Sequence, residues 1–291
     1  MTERLADINA RIEGIHQLGA VVNAMRGIAA ARAQQARGQL VAVDSYAATI
    51  ATAIGRVLAS VPLARSDGVR RAIWPALLLF CAEQGFAGAF SEHVLDAAGG
   101  DLAVSALFLV GTRGAAIAAE RGVAVDWKGS MPAQSVGIPR LADHIAETLY
   151  SRIATGKIDR LDAVFTRWLP GQGTHVERRQ LFPFDMTTFP RSTGGRPLMN
   201  MATEALLGDL TADYMHAQLC NAALHAFAAE NEARMESMAA AHNQIESQLS
   251  SLRSRQRRVR QEEITEEIIE LAAGETASRS DHNRPHARVP G

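Results

Sequence analysis

TEALLGDLTADYMHAQLCNAALHAFAAENEARMESMAAAHNQIESQLSSLRSRQRRVRQEEITEEIIELA (203–272) contains no proline. A proline in a helix interior costs about 3 kcal/mol, so so long a proline-free run invites a helical reading. Apolar residues recur at three- and four-residue intervals, as at Leu207, Leu210, Tyr214, Ala217, Leu224, Phe227, Met235, Met238, Ile245, Leu249, Leu252 and Val259. Ile264, Ile268 and Leu271 extend the series to its end. A stripe this narrow is the seam of a coiled coil, although an ordinary helical bundle carries the same spacing. As one helix, 203–272 would be about 105 Å long at 1.5 Å per residue.

The other end of the chain repeats the pattern. Residues 1–61 also lack proline, and Leu5, Ile8, Ile12, Ile15, Leu18, Val22, Met25 and Ile28 form a similar stripe. Gly14, Gly19 and Gly27 weaken it. A helix over 3–58 would span about 80 Å. Eight of the ten prolines lie between, at 62, 75, 132, 139, 170, 183, 190 and 197. A folded domain over 62–197 has a radius of gyration of only about 14 Å, so helices of such length must protrude from it.

The middle alternates strand and helix signals. PALLLFCA (75–82), VSALFLVG (104–111), VAVDW (123–127), LDAVFTRW (161–168) and HVERRQLF (175–182) read as strands. Helices are expected from Gly88 to about Ala98, over Thr112–Glu120 and over Ile138–Thr155. This spacing predicts a Rossmann-like, mostly parallel sheet. The boundaries that follow are an N-terminal coiled-coil helix over 1–61, an α/β foot over 62–197, a C-terminal coiled-coil helix over 198–274 and a disordered polar tail over 275–291. The Pro/Gly/Thr-rich stretch 183–202 reads as a linker. The fold class is therefore α/β plus long helices at both ends of the chain, with a coiled coil and a helical bundle both open on periodicity alone.

Composition excludes several functions. The 291 residues are 47% apolar and 21% charged, which rules out wholesale disorder. Thirty Lys and Arg against 31 acids give a net charge of −1, unlike a protein built to coat nucleic acid. Cys81 and Cys220 cannot make a disulfide framework. No run approaches the uninterrupted apolar length of a membrane span. MTERLADINARIEG (1–14) carries charges where a signal peptide needs its apolar block.

Catalytic patterns are weak. Gly85/Gly88 and Gly111/Gly114 follow strands as phosphate-cradling loops do, but complete no nucleotide motif, and tight turns account for them better. Nine scattered histidines form no metal pattern, and Cys81 reads as a buried, inert thiol. No catalytic residue, cofactor or metal is expected. The sharpest feature is RSRQRRVRQ (253–261) with five arginines, followed by EEITEEIIEL (262–271) with five glutamates. The acidic run would repel nucleic acid, and no aromatic lies among the arginines to stack a base. A charged helix end enclosed by protein surfaces fits better.

At its two ends the sequence resembles the gamma subunit of F-type ATP synthases. The N-terminal match is Ile8, Arg11, Ile12 and Ile15, then Ala24-Met25 and IAAAR (28–32). At the other end, Ala229-Glu230, Ala233-Arg234-Met235 and Met238 resemble the family's SExxARMxAM. Arg260-Gln261, Ile264-Thr265, Glu267-Ile268, Glu270-Leu271 and Gly274 resemble RQxxITxExxEIxxG. CAEQGFAGAFSE (81–92) resembles a worn SDRGLCGGxN, its aspartate and arginine read as replaced by Ala82 and Gln84, and Gln256-Arg257 stand where Tyr-Asn is usual.

The resemblance implies a non-catalytic rotor shaft of a divergent bacterial form, its long N- and C-terminal helices forming an antiparallel coiled coil that protrudes from the α/β domain. It implies alpha and beta ring subunits, an epsilon subunit and a membrane ring of c subunits as partners, with no membrane span of its own. It implies a peripheral place on the cytoplasmic face of the inner membrane, in a machine moving protons or sodium ions. By motif match, Met25, Arg260, Gln261, Thr265 and Glu267 would contact the alpha/beta ring. Ile264, Ile268, Ile269 and Leu271 would form an apolar bearing. Breaking a buried ion pair costs about 3–5 kcal/mol and an exposed one about 0–1, so a turning shaft favours non-directional contacts. A free-standing coiled-coil adaptor and a small-molecule enzyme using the α/β domain are the alternatives.

Overall fold

The computed structural model describes residues 5–59, 74–190 and 199–282. The start of the expected foot at 62–73, the linker residues 191–198 and the tail residues 283–291 lie outside the described residues. The chain divides into two compact units, Met1–Ala24 with Ala239–Gly291, and Met25–Met238. Helix α1 (Leu5–Leu58) and helix α5 (Thr203–His282) each contribute to both.

The larger unit is built on β1 (Pro75–Phe80), β2 (Ala106–Val110), β3 (Trp127–Gly129), β4 (Arg160–Leu169) and β5 (Gly173–Phe182), in spatial order β3-β2-β1-β4-β5. The first four strands are parallel and β5 is antiparallel to β4. Only Pro170–Gln172 separate β4 from β5, too few for a crossover, so they form a hairpin. Helices α2 (Phe90–Ala98), α3 (Thr112–Glu120) and α4 (Ile138–Ala154) connect the parallel strands.

Alternation along the strands divides the core into two layers. Ala76, Leu78, Phe80, Phe108 and Val110 face α4, with Ala36 and Leu40 of α1 and the Met215–Ala228 stretch of α5. Leu77, Leu79, Cys81, Leu107 and Leu109 face α2 and α3. Being covered on both sides, β1 and β2 are continuous apolar runs, as parallel strands require.

Strand β3 begins at Trp127, later and shorter than VAVDW suggests. Asp126 explains this: its carboxylate accepts the Leu107 N–H at 2.8 Å, and its own N–H bonds the Leu107 carbonyl at 2.9 Å. Val123 and Val125 pack on the core from outside the ladder.

Each unit holds α1 and α5 antiparallel. In the smaller unit, Gln256 Nε2 donates to Asn9 Oδ1 at 2.5 Å, and a Cβ on Gly19 would stand 3.3 Å from Ile245. In the larger, Asn221 Nδ2 donates to Asp44 at 2.6 Å, and Arg37 pairs with buried Glu232. Ascending numbers on one helix meet descending numbers on the other. An 18-residue window of α1 reaches a mean hydropathy of 1.2. Ala36 and Leu40 of this helix lie in the protein core.

Helix α5 differs from the expected seam in two ways. From Leu219 to Glu232 every residue except His225 is buried, so the helix is covered all round rather than along one stripe. It also continues through Gly274 to His282, so residues 275–282 are helical rather than a disordered tail. ETASRSDH (275–282) contains neither proline nor glycine to stop it, and one glycine costs a helix only about 1 kcal/mol.

Candidate functional site

Every residue from Arg260 to Ala273 is exposed. Arg260, Ile264, Ile268 and Leu271, at i, i+4, i+8 and i+11, fall on one face of α5. Ile264, Ile268 and Leu271 are 49%, 60% and 70% exposed. Glu262, Glu263, Glu266 and Glu270 fall on the opposite face by the same spacing, and Glu267 borders the apolar stripe. Gln261 and Thr265 lie on the adjoining row, where the Thr265 hydroxyl donates to the Gln261 carbonyl at 2.8 Å. This end of the helix is therefore apolar along one side and mostly acidic along the other, where Ile269, of the expected bearing, stands 61% exposed among the glutamates. Exposed apolar side chains in register along a helix need a covering surface, unlike scattered ones.

The structure thus brings seven predicted contact residues together on one helix end: Arg260, Gln261, Ile264, Thr265, Glu267, Ile268 and Leu271. Met25 is half-buried on α1 in the larger unit. Just before this end, Arg253, Arg255, Arg257, Arg258 and Arg260 are all exposed, while Gln256 faces α1 through its bond to Asn9. Arg257 also donates to Ser254 Oγ at 3.1 Å.

At the strand ends of the larger unit, where an α/β enzyme would hold its ligand, the loop after β1 borders a cavity of about 340 Å³ lined by Gln84, Gly85, Gly88, Ser91 and Arg113. The chain itself occupies the start of α3. The N-terminus of α3 is an anion position by virtue of its free N–H groups. Glu83 takes it, its carboxylate accepting the Thr112 N–H at 3.0 Å, the Thr112 hydroxyl at 2.6 Å and the Met131 N–H at 2.8 Å. Gly111 has φ +115°, and a Cβ there would lie 2.4 Å from the Cys81 carbonyl oxygen. A Cβ on Gly114 would overlap Cys81 Cβ at 2.0 Å. These glycines let β1 and α3 pack closely; they do not open a phosphate cradle.

Counted back from Gly85, the acidic position of the SDRG pattern falls on Glu83 rather than Ala82, so that carboxylate is retained. Burial, with Glu230 and Glu92 nearby, pushes the Cys81 thiol up to about 12, and burial likewise raises Cys220 to about 12. Neither is a nucleophile at neutral pH. Among the described residues, no group of three or more His, Cys, Asp or Glu is placed to hold a metal.

A second cluster includes Glu230 and Arg234 of the SExxARM-like segment, whose partners the motif does not reveal. Glu230, Asn231, Glu232 and Arg234 are all buried. Glu230 pairs with Arg234 one turn on and accepts the N–H groups of Glu83 at 3.2 Å and Gln84 at 3.3 Å. Burial raises the Glu230 pKa, while Arg234 and the two N–H donors pull it back. Arg234 also donates to the Gly85 carbonyl at 3.3 Å and to Asn231 Oδ1 at 3.1 Å. Arg37, bound to Glu232, lies 4.8 Å over the Trp168 ring of β4. Four charged or amide side chains within five residues of a helix that is otherwise alanine-rich was the available signal.

The ATP synthase family model matches residues 4–277. The chain is 26% identical to the ATP synthase gamma chain of Parafrankia sp. (strain EAN1pec), over 96% of this chain and 99% of that one. It is 28% identical to the ATP synthase gamma chain of Chlorobium luteolum, over 94% and 98%. Its fold is similar to a chain in the rotor of Euglena gracilis mitochondrial ATP synthase in rotational state 1, with a TM-score of 0.63, 13% identity and coverage of 89% and 98%. A chain of the OSCP/F1/c-ring structure of the same enzyme in rotational state 3 gives a TM-score of 0.62 at 12% identity, covering 99% of this chain and 98% of that one.

Proposed function

The chain belongs to the ATP synthase family, and we propose that within it this protein is the gamma-type rotor of the central stalk. It is a non-catalytic subunit, transmitting torque between the membrane rotor ring and the catalytic alpha/beta hexamer. The observation that carries this reading is the uncovered end of α5. An apolar stripe of Ile264, Ile268 and Leu271 is presented in register with nothing of the described chain upon it.

A bearing of this kind is what a turning shaft needs. Apolar contacts are non-directional and do not favour one angle, unlike paired charges. Ile264, Ile268 and Leu271 supply that surface. Arg260, Gln261, Thr265 and Glu267 supply polar contacts able to discriminate between rotor angles, and Met25 on α1 adds an apolar contact with the ring. The arginines at 253–260 face acidic loops of the ring. The α/β domain over 62–197 is the foot, meeting the epsilon subunit and the ring of c subunits. The protein is a peripheral part of a membrane-associated complex, on the cytoplasmic face of the bacterial inner membrane.

The enzyme alternative has no support in the family match, and the N-terminus of α3 is taken by Glu83. A free-standing adaptor has no support in the family match.

Charge reversal tests the reading. With Arg253, Arg255, Arg257, Arg258 and Arg260 all changed to Glu, the chain should fold normally, since the five side chains are exposed. Coupled ATP synthesis by the assembled complex should fall sharply. Undiminished synthesis and rotation would refute the assignment of these arginines to the ring.

A further inference from the structure

We propose that Glu230 and Glu83 form a two-carboxylate relay that passes torque between helix α5 and the sheet. This deepens the rotor reading and rests on it. The relay begins on α5, where the Glu230 carboxylate accepts the N–H groups of Glu83 and Gln84, the residues just beyond β1. Arg234 closes the same loop from its other side by donating to the Gly85 carbonyl. The side chain of Glu83 then reaches onward to Thr112, just beyond β2, and to Met131, just beyond β3. Backbone bonds stiffen the junction, with Gly114 N–H on the Ala82 carbonyl at 3.0 Å and Gly111 N–H on the Gly129 carbonyl at 2.9 Å. Two carboxylates thus tie the ends of three parallel strands to one turn of helix.

The apolar contacts around α5 cannot do this alone. Met215, Leu219, Leu224 and Phe227 hold the helix against the sheet layer, but apolar packing constrains rotation and sliding only through shape. Much of that helical surface is alanine: Ala217, Ala222, Ala223, Ala226, Ala228 and Ala229. Such a surface is smooth, and its directional tie to the edge strand is Arg179 of β5, which donates to Gln218 at 3.1 Å and Asn221 at 2.8 Å, away from the ends of β1, β2 and β3. Hydrogen bonds from fixed backbone N–H groups to a buried carboxylate are directional and break if the helix turns or shifts by one residue.

The cost of the arrangement points the same way. Replacing a buried ion pair by apolar residues of similar volume is often neutral or stabilising. A pair buried as Glu230 and Arg234 are is therefore poorly explained by stability, and well explained by register.

That contrast supplies the test. In the whole complex, Glu230→Met with Arg234→Met removes the relay while filling its volume. A purely structural pair predicts a thermal midpoint and coupling that move together. The relay predicts a midpoint lowered at most modestly, because Gln84 and Gly85 are exposed and their freed groups can bond water, with ATP hydrolysis retained. Ion-gradient-driven ATP synthesis should nevertheless fall by about fivefold or more, the lower range of measured site-to-site coupling. Single-molecule rotation should show a broader angular distribution for a probe fixed to the sheet.

Glu83→Gln is the second variant, should the double variant fail to fold. It weakens the onward link to Thr112 and Met131 while leaving Glu230 and Arg234 in place, and should broaden the same distribution. Variants indistinguishable from the parent in synthesis and angular spread would overturn the relay and leave the rotor reading intact. A parent chain that neither joins a catalytic ring nor turns would overturn both.

Discussion

Two stretches of helix α5 follow the same periodic pattern and have opposite surroundings. Leu219–Glu232 is enclosed by its own chain on nearly every side, whereas Arg260–Ala273 is exposed throughout. The charges differ accordingly. In the enclosed stretch the charged side chains are few and each has a named partner within the unit, as Glu230 has Arg234 and Glu232 has Arg37. In the exposed stretch the glutamates face solvent in a row beside an uncovered apolar stripe. The lesson is that an apolar helical stripe is not evidence of a core. What matters is whether the same chain supplies its cover.

The comparison can be broken by substitution. Phe227→Ala, in the enclosed stretch, should destabilise the folded chain by about 3–5 kcal/mol through lost burial and the cavity left behind. Ile268→Ala, on the exposed stripe, should change the stability of the isolated chain by less than about 0.5 kcal/mol. Denaturant unfolding of the two variants measures both. Equal costs would mean that the far end of α5 has cover within its own chain after all.

A smaller effect sharpens the picture of the enclosed stretch. His225 is its one partly exposed position, with its ring stacked on Phe165 at 6.0 Å. Burial, then Arg167 and Arg179 nearby, lowers its pKa from 6.5 to about 4. As pH falls, the unfolded chain binds this proton first. The contribution to stability should therefore be lost between pH 6.5 and about 4 and level off below. His225→Phe should flatten that part of the stability profile relative to the parent. Parallel profiles would contradict the assignment.

Much of the architecture was legible because it follows from short-range pattern. PALLLF and ALFLV are apolar runs bounded by turn signals, and both are strands. Thr112–Glu120 is a helix with the expected limits. What failed depended on single side chains or on tertiary context. The short β3 results from Asp126 turning its carboxylate onto Leu107, which no periodicity reveals. The all-round burial of α5 arises because both α1 and the sheet reach it, although the uncharged run from Gln218 to Ala229 hinted at it. Of the candidate contact residues, those at the exposed end of α5 rest on motif match, and the structure adds that they are exposed. The SExxARM-like segment was recognised, but the partners of Glu230 and Arg234 lie about 145 to 150 residues earlier in the chain. Only the fold brings them together.

The central claim is that the far end of α5 is completed by other subunits. Thiol labelling of Ile268→Cys tests it most directly, because Cys81 and Cys220 are buried and their thiols are pushed up to about 12. The introduced thiol should react rapidly in the isolated chain and slowly once the chain is assembled with its catalytic ring. Equal reactivity in both states would contradict the account.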